Sequence, residues 1–269
     1  MFNDVIGIDV GHTNIKMMAI VNGKTILKTI PSGDKLTRQE LINNIHDFYL
    51  SFKHDFKGIG IAFSGGTADS KKVDYTSLPC LKNLSVEDFS RLNTNISLIN
   101  DADAATIGGT VEFPNSKVLV GFTNGTGIGC GIAVNGNLFT GSSGFTGEIH
   151  ENPIISENGN IIKIGQLCSG SMILKKLNLA KTDVEKFQII QDASMYCGIL
   201  LSQIIHMYNP DTIVFSGGGF QFPNFLSESI NFAKKHCYSK FTQNLTFVSS
   251  KYYGYAGCMG AIKLVSSSK

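Results

Sequence analysis

The sequence predicts an α/β protein built as two similar lobes, each a mixed β-sheet flanked by helices. Short apolar strands alternate with helical stretches along the 269 residues. The chain also repeats itself. A shift of about 113 positions lays Val5, Thr13, Ile15, Val21, Asn22 and Gly23 on Val118, Thr126, Ile128, Val134, Asn135 and Gly136. Each copy carries an Asn-Gly pair between apolar runs, a strong hairpin signal. Two such loops facing each other would suit a polyphosphate held between lobes.

The elements follow in order. A strand at 4–10 leads into a hairpin over 14–30. Leu41, Ile42, Ile45, Phe48, Tyr49 and Phe52 recur at helical spacing, which predicts a helix over 38–53. Residues 58–63 form a short apolar strand ending in Ser64-Gly65-Gly66, and a loop-rich stretch follows over 67–84. Ser85, with Glu87 and Asp88 behind it, starts a short helix. Ile96–Ile99 is a strand ending at Asn100-Asp101, and a helix begins at Ala102. Gly108-Gly109 and Pro114-Asn115 break the pattern, so the lobe boundary falls near 110–116. The first lobe is then 1–112 and the second 113–255. The second opens with a strand at 117–122 and its hairpin. A Gly- and Asn-rich loop over 141–165, helices at 166–178 and 183–208, and a buried-type strand over 212–215 come next. A helix near 224–236 and a strand near 245–249 complete it. A final helix over 256–269 is expected to pack back on the first lobe, with 266–269 as a frayed tail.

Composition bounds the function. Hydrophobic content of 42% and charge of 16% describe a globular chain, not a disordered one. A formal net charge of +2 gives no argument for nucleic acid or a membrane surface. No apolar run reaches the roughly 18 residues of a membrane span, and a strand opening at Val5 leaves no room ahead of it for a DNA-binding module. Neither partner is expected. Cys80, Cys130, Cys168, Cys197, Cys237 and Cys258 lie far apart with no CxxC pair. The expectation is reduced, mostly buried thiols in the cytoplasm.

Four motifs can carry chemistry. Asp9-Val10-Gly11-His12-Thr13-Asn14, with Lys16 following, sits at a strand end. Backbone N–H groups and the Thr13 hydroxyl can cradle phosphate oxygens there, and Asp9 can orient Mg²⁺ through water. The same residues also read as an Asp-capped turn. Thr123-Asn124-Gly125-Thr126-Gly127-Ile128-Gly129 repeats that arrangement, and it leads into a hairpin rather than the helix of a Walker or dinucleotide loop. Ser216-Gly217-Gly218-Gly219 follows an apolar strand and precedes a helix, which lets backbone approach a nucleotide near a helix N-terminus. Asn100-Asp101 places a carboxylate at a strand end, where it can accept a proton. It can equally cap the helix that follows, as can Asp103.

Taken together, IGIDVGHTNIK, LINDADAATIGG, VLVGFTNGTGIGCGIAVNGNLFTG, GFTGEIH and NPDTIVFSGGG resemble the sugar-kinase, actin and heat-shock ATPase superfamily. The resemblance is closest to its ROK family of bacterial sugar kinases and sugar-responsive repressors. It implies the two-lobed, actin-like (ribonuclease H-like) ATPase fold with ATP, Mg²⁺ and a sugar in the cleft, and dimerisation through the second lobe. By position it implies Asp101 as general base, and Asn100, Glu148, Ser64, Gly65 and Ser77 on the sugar side. Asp9, Gly11, His12, Thr13, Asn14, Lys16, Thr123, Gly125, Thr126 and Gly127 fall on the phosphate and Mg²⁺ side, and Gly217, Gly218 and Gly219 on the adenosine side.

One segment departs from the family pattern. The family follows GEIGH with a zinc knuckle, CxCGxxGCxE, whereas this chain reads GEIHENPIISENGNIIKIGQLCSG. Structural zinc needs about four ligands; His150 and Cys168 cannot supply them, so no zinc is expected. The family histidine falls at Glu151, and His150, one place early, substitutes on the sugar side only if the turn shifts. The glutamate that closes the knuckle falls near Gly165. The expected function is transfer of the ATP γ-phosphoryl group to a hydroxyl of a hexose, N-acetylhexosamine or glycoside by a cytoplasmic homodimer. The alternatives are a non-catalytic sugar or nucleotide sensor, and a kinase of a non-sugar metabolite such as pantothenate.

Overall fold

The computed structural model describes residues 2–156 and 159–267. The first sheet begins with β1 (Val5–Val10), β2 (Asn14–Val21) and β3 (Lys24–Pro31). Asn22 and Gly23 take φ of 50° and 71°, the left-handed pair that a two-residue hairpin turn needs. Helix α1 (Arg38–Leu50) starts at a capping box of Thr37 and Glu40 and buries Leu41, Ile45, Phe48 and Tyr49. It stops short of the expected 53, because Ser51 closes it. β4 (Gly58–Phe63) and β5 (Asn95–Asn100) lie parallel to β1, giving the order β3-β2-β1-β4-β5. Between them the helix expected after Ser85 is a 3₁₀ helix, Val86–Leu92.

Helix α2 (Asp101–Glu112) leads to β6 (Val118–Asn124), β7 (Ile128–Val134) and the short β8 (Asn137–Leu138). The loop expected over 141–165 holds a 3₁₀ turn at Ile149–Glu151 and a small hairpin, β9 (Pro153–Ile155) with β10 (Ile161–Lys163). Glu157 and Asn158 of that segment lie outside the described residues. The helix expected at 166–178 is two, α3 (Gly165–Cys168) and α4 (Gly170–Leu179), divided at Ser169 by an extended backbone. Next come α5 (Asp183–Tyr208), β11 (Thr212–Ser216), α6 (Phe225–His236), α7 (Ser239–Thr242), β12 (Thr246–Ser249) and α8 (Ala256–Ser267). Ser266 and Ser267 continue α8 rather than fraying, and Ser268 and Lys269 lie outside the described residues. Among the described residues no helix is long and apolar enough to cross a membrane.

The second sheet runs β12-β11-β6-β7-β8, the same topology as the first. The repeat is therefore structural, but its register is not uniform. Gly11–Asn14 separates β1 from the paired part of β2, whereas only Gly125–Gly127 separates β6 from β7. The shorter turn shifts the first strand of the second copy by one position, so Val10 corresponds to Asn124 while Ile15 corresponds to Ile128.

Each sheet is covered on both faces. On the outer face of the first, Ile6, Ile8 and Val10 pack with Leu41, Ile45 and Phe48 of α1. On the outer face of the second, Val120, Phe122, Ile213 and Phe215 pack with Leu200, Leu201 and Ile204 of α5. The inner faces meet helices from opposite halves of the chain. α2, which leaves the first sheet, packs on β6 and β7; α8, which leaves the second, packs on β1 and β4; and the two helices cross each other. The first sheet admits α8 because glycines face it. A Cβ on Gly7 would stand 2.0 Å from the Cys258 carbonyl oxygen, and one on Gly60 2.1 Å from that of Ala261. The two glycines are register partners in adjacent strands.

Candidate active site

The C-terminal ends of the parallel strands collect the expected residues, as open α/β sheets do. β1, β4 and β5 end in register, with Val10 beside Phe63 and Phe63 beside Asn100. Asp9 and Gly11, Ser64 and Gly65, and Asn100 and Asp101 thus share one edge. Backbone bonds tie it together: Ser64 N–H donates to the Val10 carbonyl at 3.3 Å, and Gly11 N–H to that of Asn14 at 3.0 Å. The Asn100 amide donates to the Gly65 carbonyl at 2.8 Å.

Asn100 is the cap of α2. Its Oδ1 accepts from Ala102 N–H at 2.8 Å and Asp103 N–H at 3.0 Å, so neither Asp101 nor Asp103 holds the capping position that the sequence leaves open to them. Asp101 is left as the first residue of the helix. It is partly buried, with Oδ1 accepting from Ala102 N–H at 2.8 Å. Burial pushes its carboxyl up, the charge of Asp9 adds to the rise, and the result is about 7 against the Ala102 hydrogen bond. Asp9 is raised by burial to about 6, with Lys16 opposing. A Cβ on Gly257 would lie 2.9 Å from Asp9 Oδ2, so the first turn of α8 sits against that carboxylate. Lys16 Nζ reaches Gly254 just before the same helix, 3.0 Å from where a Cβ there would stand.

The residues expected on the sugar side span the two halves. Glu148 is exposed and accepts a hydrogen bond from the Tyr75 hydroxyl. Tyr75 packs edge-on against Phe145, and burial together with Glu148 raises its phenol. Ser77 Oγ lies 2.8 Å from His12 Nε2, joining the loop expected on the sugar side to the turn expected to hold phosphate. Burial lowers the His12 pKa, with Asp34 opposing. Thr13 and Thr126 are exposed at the tips of their turns. His150 sits on the 3₁₀ turn after Glu148, and Ile128 N–H points at its Nδ1 at 3.4 Å. Its imidazole fills the side-chain space of Gly165, where a Cβ would come within 2.0 Å of Nδ1. His150 therefore lies beside the Thr126-Gly127-Ile128 turn. Among the described residues no group of three His, Cys, Asp or Glu side chains is placed to hold a metal.

The glycine turn after β11 stands on the other side. Gly217 has φ 101°, and a Cβ there would fall 2.2 Å from the Asn124 carbonyl oxygen. The turn does run into a helix, a short 3₁₀ one over Gly218–Gln221, and α6 follows only at Phe225. The α-helix N-terminus beside the turn is that of α4, where a Cβ on Gly170 would stand 3.0 Å from Gly219 Cα. Asn124 makes the junction. Fully buried, it donates to the Cys168 carbonyl at 3.0 Å and accepts from Gly170 N–H at 2.6 Å. Ser171 completes it, with its hydroxyl on the Thr126 carbonyl at 2.6 Å and its N–H on that of Gly125 at 3.1 Å. Asn124, Ser171, Tyr75 and Gly257 are thus parts of the arrangement that sequence reasoning did not assign. Only Asn124 left a signal, as a polar residue closing an apolar strand inside the second glycine motif.

Comparison with known proteins agrees with this architecture. The xylose repressor of Bacillus spizizenii is 26% identical over 241 residues, covering 78% of this chain and 62% of the repressor. The glucokinase of Halalkalibacterium halodurans is 23% identical over 264 residues, covering 79% of each chain. Two solved structures share the fold. A ROK family protein from Streptococcus pneumoniae in complex with sucrose has a TM-score of 0.80 at 21% identity, with 97% of each chain covered. A ROK family glucokinase from Streptomyces griseus in complex with glucose and AMPPNP has a TM-score of 0.76 at 18% identity, covering 98% of this chain and 99% of that one. The family model for ROK matches residues 5–268. The chain therefore belongs to the ROK family, and its two mixed sheets with crossing helices are that family's actin-like fold.

Proposed function

We propose that this chain is an ATP-dependent carbohydrate kinase, with Asp101 as the general base that takes the proton of the attacking sugar hydroxyl. The observation that carries the reading is the setting of Asp101. It is a partly buried carboxylate just past a strand end, raised to about 7 by burial and by the charges of Asp9, Glu148 and Asp103. A base near neutrality suits proton removal at working pH. Phosphoryl transfer asks a protein mainly for position and charge stabilisation. Thr13, Thr126 and the backbone N–H groups of their turns would hold phosphate oxygens, while Gly217, Gly218 and Gly219 would let the adenosine lie against backbone. Asn100, Glu148, His150 and the Ser64, Gly65 and Ser77 loops would orient the sugar. Mg²⁺ fits beside Asp9, since the Asp9 and Asp101 charges oppose each other and a cation relieves that repulsion. Bound there, it would offset negative charge on the phosphates. The glucokinase relative and the AMPPNP-bound neighbour support a nucleotide and a sugar as ligands.

The working form is a cytoplasmic homodimer joined through the second lobe, where Leu174, Leu179, Val184 and Phe187 are exposed. A second reading, a sugar sensor without turnover, is favoured by the repressor relative, of which this chain spans 62%. A coupled assay with MgATP against hexoses, N-acetylhexosamines and β-glucosides separates the two. Turnover with one class, reduced roughly a hundredfold or more in Asp101→Asn, supports the kinase. Saturable sugar binding with no turnover for any class supports the sensor.

A further inference from the structure

We infer that Tyr75 is a positioning residue: its hydroxyl, reaching across the two halves of the chain, holds the Glu148 carboxylate in one orientation before a sugar arrives. The inference rests on the placement of Glu148 at the sugar proposed above.

Tyr75 is itself held from two directions. Its backbone is stapled to the turn after β4. Gly66 N–H donates to the Tyr75 carbonyl at 2.9 Å, Asp74 N–H donates to that of Gly66 at 2.9 Å, and Thr76 Oγ1 donates to that of Ser64 at 2.7 Å. Its ring lies over Gly66, where a Cβ would come within 2.2 Å of Tyr75 Cε1 and 2.8 Å of Phe145 Cε1. Phe145 meets the ring edge-on from the second half, with centroids 5.4 Å apart. The same 145–148 segment supplies Glu148, which accepts the Tyr75 hydroxyl. Glu148 is exposed, and among the described residues no cation pairs with it. A ring seated by backbone and packing thus fixes a carboxylate that has no ion pair.

The contact favours a sugar rather than competing with it. An ionised carboxylate offers about four acceptor positions, and one phenol uses one of them. An exposed glutamate otherwise samples many rotamers, and a ligand that must order it loses affinity. A partner within the protein that orders it beforehand removes that loss. Burial and Glu148 raise the Tyr75 phenol, so it remains a proton donor; the charges of Asp101 and Asp103 add to the rise, which places the hydroxyl toward the start of α2 and the proposed base.

The test is isothermal titration calorimetry of the full chain with D-glucose, N-acetyl-D-glucosamine and methyl β-D-glucoside, and with MgAMPPNP as the control ligand. Tyr75→Phe keeps the ring and deletes the hydroxyl. Kd for each sugar that binds should rise about three- to tenfold, the fold-change for ordering one long side chain. Kd for MgAMPPNP and the thermal midpoint should stay as in the parent. Gly66→Ala keeps the hydroxyl but pushes the ring off its seat, and should raise the sugar Kd by a similar factor. Unchanged sugar affinity in Tyr75→Phe would overturn the inference and leave the kinase reading standing. Tighter sugar binding would overturn it too, by making the hydroxyl a competitor for Glu148. Equal weakening of sugar and MgAMPPNP would overturn it in favour of a merely structural role. The expected weakening in a chain that shows no turnover would support the inference and sink the kinase reading alone. A parent chain that binds none of the three sugars would sink both.

Discussion

Asp9, Asp101 and Asp103 meet around the start of α2 with too little water to ionise freely. Burial is the largest cause of each rise, and for Asp101 the neighbouring carboxylates add to it. If Asp101 acts as base, it works only as a carboxylate. We expect kcat/KM to fall about tenfold per pH unit below about 7, steepening below about 6 as Asp9 protonates. A flat profile between pH 5 and 8 would remove Asp101 from the proton transfer. The same shift has a signature in stability. The folded pKa lies above the unfolded value, so the folded chain holds the Asp101 proton more tightly. The cost of ionising it is absent below about pH 4, grows between 4 and 7, and is complete above 7. Asp101→Asn removes that cost. The variant should be more stable than the parent by about 1–2 kcal/mol at pH 8, a value discounted for partial solvent access, and indistinguishable from it near pH 4. Urea unfolding at the two pH values measures this; a gain that persists at pH 4 would assign it to something other than charge.

At the scale of elements, the two glycine turns proposed to hold nucleotide meet at one side chain, which also ties in the α3–α4 junction. Asn124 at the end of β6 holds the Cys168 carbonyl, the Gly170 N–H and, by close contact, the Gly217–Gly219 turn. Asn124→Ala leaves a buried donor and a buried acceptor unmet. We expect a loss of about 1–3 kcal/mol in stability and weaker MgATP binding, with sugar binding less affected. Equal loss of both ligands in calorimetry would show general loosening instead. This junction also marks where the sequence stopped being legible. Strands, hairpins and α5 could be read because period-two and helical patterns, Asn-Gly turns and caps are local signals. Asp101 could be located because it follows directly on an apolar strand. The β9–β10 hairpin could not, since two three-residue strands with mostly exposed side chains carry no periodicity. Adjacency in sequence points to α6 for the helix N-terminus at the Gly217 turn, whereas α4 arrives there through a contact between distant segments. Tyr75 lies in a loop-rich stretch, and its bond to Glu148 has no sequence signature. His150 filling the space of Gly165 is a similar long-range event: the missing side chain is visible in the sequence, but its replacement is not.

For the whole molecule, the exchange of helices decides how the two halves behave. α2 follows β5 in the chain but packs on β6 and β7, and α8 follows β12 but packs on β1 and β4. The inner face of the first sheet, with Val5, Met18 and Ile20, is buried against Cys258, Met259, Ile262 and Val265 of α8. On the second, Leu119, Val214 and Gly121 meet α2, where a Cβ on Gly121 would fall 2.2 Å from Thr106 Oγ1. Cutting the chain near 113 would strip the first sheet of the helix that covers it, and expose on α2 the apolar surface that belongs to the second. Neither fragment retains a two-faced core, and an uncovered sheet face of that kind drives association rather than folding. We therefore expect the full chain to unfold in one cooperative transition, and fragments 1–115 and 116–269 to be unfolded or aggregated alone. Mixing the two fragments should recover structure, because each supplies the other's missing helix. Circular dichroism and sedimentation of the separate and mixed fragments measure this. A sharp thermal transition in isolated 1–115 would show that the α8 interface is dispensable, and the two halves would then have to be treated as independently stable units hinged at their crossing helices.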